Sequence, residues 1–337
     1  MTTPDGETDP VEVEEPVQPR LGVTTFTIEG RSAPALFVVG WLASVLGLAL
    51  VLVAVLSGGG TGAGWLGLVV VGLVLLSIGL VAAAGSQGIE RRARGVEGYA
   101  GPSPLLVFAA SIPVSVLVIL VIALPLGFLG VPLDGPIAAV LSVALQAAVY
   151  LGLIRLLVVD TGALTWGAMG LRRPDGQAIR EALGGALWAL PVIVATIPVS
   201  LVLLAIFPVT PESPLPPTGE AVGFALSLLA GAVIAPFGEE VLFRGFATTA
   251  WVRSVGIRAG VIRAALIFAL AHVLTTAGTS AGDAFGLAVV GFGTRVPIAI
   301  ALGWLFVRRG TIWAPLGLHA AFNAVLLVLA EVAQTPI

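Results

Sequence analysis

Residues 34–56 read PALFVVGWLASVLGLALVLVAVL, an uncharged stretch in which polar and apolar residues do not alternate. A helix needs about 20 predominantly apolar residues to cross a bilayer, and this stretch is long enough. Comparable apolar runs follow along the chain, giving 34–57, 63–84, 104–128, 137–159, 184–207, 220–252, 261–274, 284–307 and 312–330. A membrane β-barrel would instead need alternating segments of about 10 residues. The sequence therefore predicts an all-α polytopic transmembrane helix bundle with eight or nine spans. The 220–252 run is too long for a simple span and contains Pro236, so a kink or break is expected there. The 261–274 run is short and is expected to start or end inside the protein.

Composition points the same way. Of 337 residues, 58% are hydrophobic and 10% charged, and mean hydropathy is +1.07. A soluble domain carries about a quarter charged residues, so a water-soluble protein is excluded. There is no cysteine and no lysine, since all 16 basic residues are arginine. Disulfides, thiol nucleophiles, a Walker A loop and Schiff-base chemistry are excluded with them. The 43 glycines suit helices that pack backbone to backbone.

Residues 1–33 are different in kind. Asp5, Glu7, Asp9, Glu12, Glu14 and Glu15 sit among prolines and threonines, which predicts a disordered acidic tail. A signal peptide is not expected, because the basic leading region and cleavage site are missing. Residues 21–31 are a candidate for packing at the membrane surface. The expected organisation is the tail (1–33), N-terminal transmembrane helices (34–216) and a catalytic core (217–331).

Arginine placement sets the expected topology. The connections near 85–103, 159–183, 253–263 and 308–311 hold eleven arginines, and those near 58–62, 129–136, 208–219 and 275–283 hold none. By the positive-inside rule the amino terminus is expected in the cytoplasm.

Against this background a few ionisable residues stand out, because charges at bilayer depth are costly and mark functional sites. Glu239, Glu240 and Arg244 lie in Gly-Glu-Glu-Val-Leu-Phe-Arg. Glu240 and Arg244 are four apart and share a helix face, whereas Glu239 is rotated by about 100°. The spacing predicts a Glu240–Arg244 pair with Glu239 left to take a proton. Two adjacent acids against one arginine leave a surplus carboxylate, which a purely structural ion-pair cluster does not explain. The chain's two histidines, His272 and His319, both fall in proposed spans. Phe268 precedes His272 by four positions and Asn323 follows His319 by four, so each pair shares a face. Counted from the arginine-marked ends, both histidines lie roughly 15 Å deep and Glu239 roughly 20 Å. Three helices thus bring polar groups to a similar level. Arg295 lies near the middle of the 284–307 run, about 18 Å from its end. It either binds a substrate carboxylate or pairs with an acid such as Glu220 or Glu239.

The ordered set Glu-Glu-x-x-x-Arg (239–244), Phe-x-x-x-His (268–272) and His-x-x-x-Asn (319–323) resembles the three motifs of the CPBP family. That family comprises the CAAX prenyl protease 2 type enzymes and the bacterial bacteriocin-processing or immunity ("Abi") proteins. Gly310-Thr-Ile-Trp-Ala-Pro-Leu-Gly-Leu-His319 is also typical of bacterial members, and Gly170-Leu-Arg-Arg-Pro174 is similar to a segment often found before the core. The resemblance implies an intramembrane endopeptidase. In it, the residues matching Glu239 and His272 activate a water, and those matching His319 and Asn323 serve the oxyanion or position the water. Those matching Glu240 and Arg244, with Phe268, support the site.

The bottom-up chemistry agrees with that assignment. A desolvated carboxylate beside a histidine can act as a base, and amide and imidazole N–H groups suit an oxyanion. The motifs of other membrane proteases are missing: there is no His-Glu-x-x-His, and the Gly282-Asp283 pair lacks the rest of an aspartyl motif. No metal is expected; zinc, held by His272, His319 and Glu239 or Glu240, is the alternative. The expected partners are the lipid bilayer and a membrane-associated protein or peptide substrate, with no nucleic acid. The glycine-, alanine- and arginine-rich composition looks bacterial, which makes a plasma membrane the expected location. A non-catalytic immunity or scaffold protein is the rival reading. An ion-coupled transporter is a second rival, although no internal repeat supports it.

Overall fold

The computed structural model describes residues 26–57, 62–211, 216–274 and 276–334. The acidic positions of the tail lie outside the described residues. All regular structure among the described residues is helical. Eight helical stretches are long and apolar enough to cross a membrane. The protein is an integral membrane protein.

The first two helices form a hairpin. Helix α1 (Pro34–Leu56) packs along α2 (Ala63–Ala93), with small residues at the crossings. Gly40 lies against Ala83, Gly47 against the backbone of Gly72 and Leu76, and Gly79 against Ser44. A methyl at any of these positions would force the helices apart, which accounts for glycine in an otherwise Leu/Val-rich surface. At the start of α1, Phe26 packs on Trp41, and Arg31 pairs with Glu90 at 2.8 Å and lies over the Phe37 ring. The described part of the 21–31 segment is thereby tied to the hairpin.

Helix α3 (Pro104–Phe128) leads to α4 (Pro136–Ile154), which ends in a π-helical turn over Arg155–Val159. The connection into α3 is fastened to the core by Tyr99. Its hydroxyl donates to the Pro102 carbonyl at 2.8 Å, its ring packs on Phe246, and burial pushes its ionisation well above the usual range.

The span expected over 184–207 is formed by an apolar helix that an amphipathic one precedes, the two together counting as one candidate span. The amphipathic α5 (Gly176–Ala186) is capped by Asp175, which accepts from the amides of Gln177 and Ala178. After a break at 187–188 comes the apolar α6 (Ala189–Ile206).

The long run with Pro236 is a single rod whose register changes several times. It consists of α7 (Ala221–Leu228), a π-helical turn (Leu229–Ile234), α8 (Ala235–Glu239), a longer π-helical stretch (Glu240–Thr248) and α9 (Thr249–Val255). Proline removes a backbone donor and crowds the preceding turn. Here the turn widens to i→i+5 bonding just before Pro236, and the helix continues instead of breaking.

Helix α10 (Ile257–Ala271) has 15 residues, about 22 Å, and stops inside the protein with His272 as its C-cap. Helix α11 (Ala281–Arg309) starts from a reciprocal cap. The Ser280 hydroxyl accepts from the Asp283 amide, while the Asp283 carboxylate accepts from Thr279. Helix α12 (Trp313–Gln334) follows.

Two contacts set the position of α12. The Gly170 carbonyl accepts from the Ile312 amide at 3.1 Å, so the Gly170–Pro174 segment holds the loop that enters α12. Further along, α12 crosses α5 so closely that Gly317 lies on the Ala182 carbonyl and Gly185 on the Ala314 carbonyl. On its other face, Leu318 and Phe322 pack with Val192 of α6 and Ile298, Leu302 and Leu305 of α11. Gly317→Ala must therefore push α12 away from α5, two residues before His319. We expect it to lower detergent-solubilised stability by about 1–3 kcal/mol, the usual range for overpacking. Gly152→Ala, with open space around the added methyl, should leave the melting temperature unchanged. Thermal unfolding of the two purified variants checks this.

Candidate active site

The rod carries the acids, α10 and α12 carry the histidines, and the three meet beneath a ring of aromatic residues. Glu240 is fully buried and Arg244 nearly so. Their i,i+4 pair has an N–O distance of 3.1 Å. The same Glu240 Oε1 also accepts from His319 Nδ1 at 2.8 Å. One carboxylate oxygen thus joins the rod to α12. Arg244 reaches further, donating from Nη2 to the Ala299 carbonyl of α11 at 3.4 Å, while its guanidinium lies 4.2 Å over the Phe268 ring.

Phe268 is the hub of the aromatic layer. Its ring centroid is 4.5 Å from that of His272, 5.6 Å from His319 and 5.3 Å from Phe243. Its carbonyl accepts from His272 Nδ1 at 2.8 Å. Both histidines therefore use Nδ1 as a donor, the first to a carbonyl and the second to a carboxylate. In the neutral form of each ring this leaves Nε2 as a bare acceptor.

Both Nε2 atoms face Glu239. Its Oε2 lies 3.8 Å from His272 Nε2 and 3.7 Å from His319 Nε2. These separations are too long for direct hydrogen bonds. Oε2 is shielded from solvent and has no hydrogen-bond partner among the described residues. Buried polar atoms in native proteins are almost always satisfied, so such an orphan marks a place where something else binds or reacts. Glu239 itself retains 17% side-chain exposure and His272 26%, while Glu240 has none. Glu240 is sealed and Glu239 is partly exposed.

Asn323, one turn beyond His319, donates from Nδ2 to the Gly231 carbonyl in the π-helical turn Leu229–Ile234 at 2.8 Å. One amide hydrogen is occupied by this contact and the second is not. Arg295 of α11 donates to the Gly291 carbonyl of its own helix at 2.8 Å and has no ion-pair partner within 4 Å among the described residues. It acts electrostatically on both Glu239 and His272.

Each sequence-derived site residue thus lies in or beside one cluster. Residues 221–325 match the family model for Rce1-like type II CAAX prenyl endopeptidases. Over these residues the chain is similar to that family. No curated protein and no solved structure gave a match. The Rce1-like region runs from the start of the rod into α12 and so contains every residue of the cluster. The helices before α7 lie outside the match.

Two features of the site go beyond the sequence expectation. His319 is held by Glu240, a long-range contact that no local spacing encodes. Phe268, expected only to support, contacts both histidines and Arg244 at once. Arg244→Ala would leave Glu240 with His319 as its remaining hydrogen-bond partner and would empty the face of Phe268. We expect a loss of about 3–5 kcal/mol, the range for breaking a buried pair on one side. It should appear as a sharp fall in folded yield by size-exclusion chromatography. Arg244→Lys should recover only part of it, since an ammonium cannot span Glu240, Ala299 and Phe268 together.

Proposed function

We propose that the protein is an intramembrane endopeptidase that hydrolyses a peptide bond of a membrane-associated protein or peptide with a water activated by Glu239. The observation that carries this reading is the convergence of His272 Nε2 and His319 Nε2 on the orphaned Oε2 of Glu239. A water placed between Glu239 and His272 donates one hydrogen to each. Glu239 takes the proton as the water oxygen attacks the scissile carbonyl, and then passes it to the leaving amine.

His319 and the free amide hydrogen of Asn323 serve the oxyanion. His319 Nδ1 donates to Glu240, which Arg244 holds in turn, so the ring is fixed with Nε2 toward Glu239. The buried acid thus acts through the histidine it orients. The match to a family named for prenylated substrates fits a membrane-bound polypeptide. Nothing in the cluster itself calls for a prenyl group, so the proposed class is the broader one.

A zinc-dependent reading has one observation in its favour. Two imidazoles that donate through Nδ1 and present Nε2, with a carboxylate between them, are the right kind of donors for zinc. His272, His319 and Glu239 would hold the ion, which would supply a Lewis acid and a metal-bound hydroxide. Tetrahedral zinc sets ligand atoms about 3.3 Å apart. The three atoms would have to draw closer, and no cluster of three such side chains among the described residues stands at ligand spacing. Glu239 as a ligand would also be lost as the base. We therefore favour the metal-independent site.

The arginine pattern favours a cytoplasmic amino terminus, and the glycine-, alanine- and arginine-rich composition favours a bacterial plasma membrane. The exposed positions Ala281 and Arg309 cap the two ends of α11. Cysteine at 281 should react with an impermeant thiol reagent on intact cells, and cysteine at 309 only after lysis; the opposite pattern reverses the topology.

For the chemistry, Glu239→Gln and His272→Ala should abolish cleavage without loss of folded protein. Asn323→Ala should slow cleavage about 10²–10³-fold. Membrane proteomics of wild-type and Glu239→Gln strains should reveal uncleaved precursors, and full activity of Glu239→Gln on a verified substrate would sink the mechanism. Purified enzyme should hold substoichiometric zinc and survive exhaustive chelation. Stoichiometric zinc lost in His272→Ala, with activity restored only by added metal, would establish the metallopeptidase.

A further inference from the structure

Arg295 is the cation in the active-site chamber that the proposed chemistry does not use. It sits at the midpoint of α11, fourteen residues from each end, and so about 21 Å from either. That depth is too great for the side chain to snorkel to water. A guanidinium there demands an anion, and none stands within ion-pair distance among the described residues. One contact, with Gly291, sets its direction. Nη1 donates to the Gly291 carbonyl, and a methyl built on Gly291 would lie 3.3 Å from that Nη1 and 3.2 Å from Val273 Cγ1. The guanidinium is thus folded back over a glycine that leaves it room, beside the residue that follows His272. Because a methyl on Gly291 would meet both Val273 and the guanidinium, Arg295 lies on the His272 side of α11.

Resting on the reading of this cluster as a peptidase site, we propose that Arg295 is a specificity-determining residue that binds a carboxylate of the substrate. One guanidinium face holds Gly291, and the remaining N–H fork matches a carboxylate in the bidentate geometry that arginine favours. In a site of low dielectric, a peptide that brings its own anion to this position gives the guanidinium a direct partner. Two sources have the right chemistry, the free carboxyl terminus of the peptide and an acidic side chain. Arg295 is not a catalytic residue in this scheme. It sets which part of a substrate lies against Glu239 and His272.

Binding is the direct test, and it does not depend on turnover. Purified full-length Glu239→Gln protein in detergent is titrated with a dye-labelled peptide ending in four apolar residues. The peptide is made as the free acid, as the terminal amide, and as the amide with one internal glutamate. The free acid or the glutamate peptide should bind at least tenfold more tightly than the plain amide, and whichever does identifies the source. That preference should vanish in Glu239→Gln/Arg295→Gln and persist in part in Glu239→Gln/Arg295→Lys. The lysine variant keeps the test decisive should the glutamine variant unfold. Equal binding of the three peptides, a lack of binding by all three, or a preference that survives loss of Arg295 would overturn the proposal. Cleavage by the wild type and its loss in Glu239→Gln decide the peptidase reading separately, so either idea can fail alone.

Discussion

One oxygen atom, Oε1 of Glu240, organises the site by accepting from Arg244 and from His319 at once. A buried carboxylate is costly unless its charge and lone pairs are met, and here a cation on its own helix and an imidazole on another do so. The arrangement links the rod to α12. Through Arg244 it extends to the Ala299 carbonyl of α11, and through the Phe268 face to α10. Four helices therefore share one buried polar node. Pull any one helix away and a charge is left bare. Helix–helix packing by small residues brings the backbones close, but this node selects the one relative position at which they lock.

The neighbouring carboxylate shows how two identical side chains come to differ. Glu239 and Glu240 are adjacent, yet Glu240 is sealed and carries Arg244 and His319 on its Oε1, with its Oε2 unpaired among the described residues, while Glu239 keeps partial exposure. Helical rotation between successive positions separates their faces. His319 is gripped between them, with Nδ1 on the first acid and Nε2 near the second. The imidazole is thus the route by which the structural acid influences the reacting one.

Much of this was legible from residue types and spacing. Nine apolar runs and two sets of connections, one rich in arginine and one without it, specify a helical membrane protein. The four-residue spacing of Glu240 and Arg244 specifies their pair, because both lie on one helix. Where contacts cross between helices, the sequence is silent. No period connects Glu240 to His319, 79 positions apart. Likewise, nothing local announces that Asn323 will reach Gly231, or that Gly317 must be bare for α12 to touch α5. The 220–252 run was readable as irregular because of Pro236, but how the backbone absorbs the proline depends on what packs around it. The amphipathic α5 that precedes the apolar α6 was missed because the polar Asp175–Glu181 stretch does not resemble a span.

The π-helical stretch Glu240–Thr248 has a consequence for when the enzyme comes into being. Its i→i+5 bonds are a less favourable backbone arrangement than ordinary α-helix, and nine consecutive residues in it are unusual. Every residue of that stretch is buried, so the neighbours, not the local backbone, hold it in shape. Those neighbours include α10, α11 and α12, which leave the ribosome after the rod does. A newly inserted rod thus has its acids but lacks both the imidazoles and the packing that imposes their geometry. The chain enters the bilayer as an inert set of hydrophobic segments. The cluster is complete only once the helix that carries His319 has joined it, so translation order alone sets when it assembles.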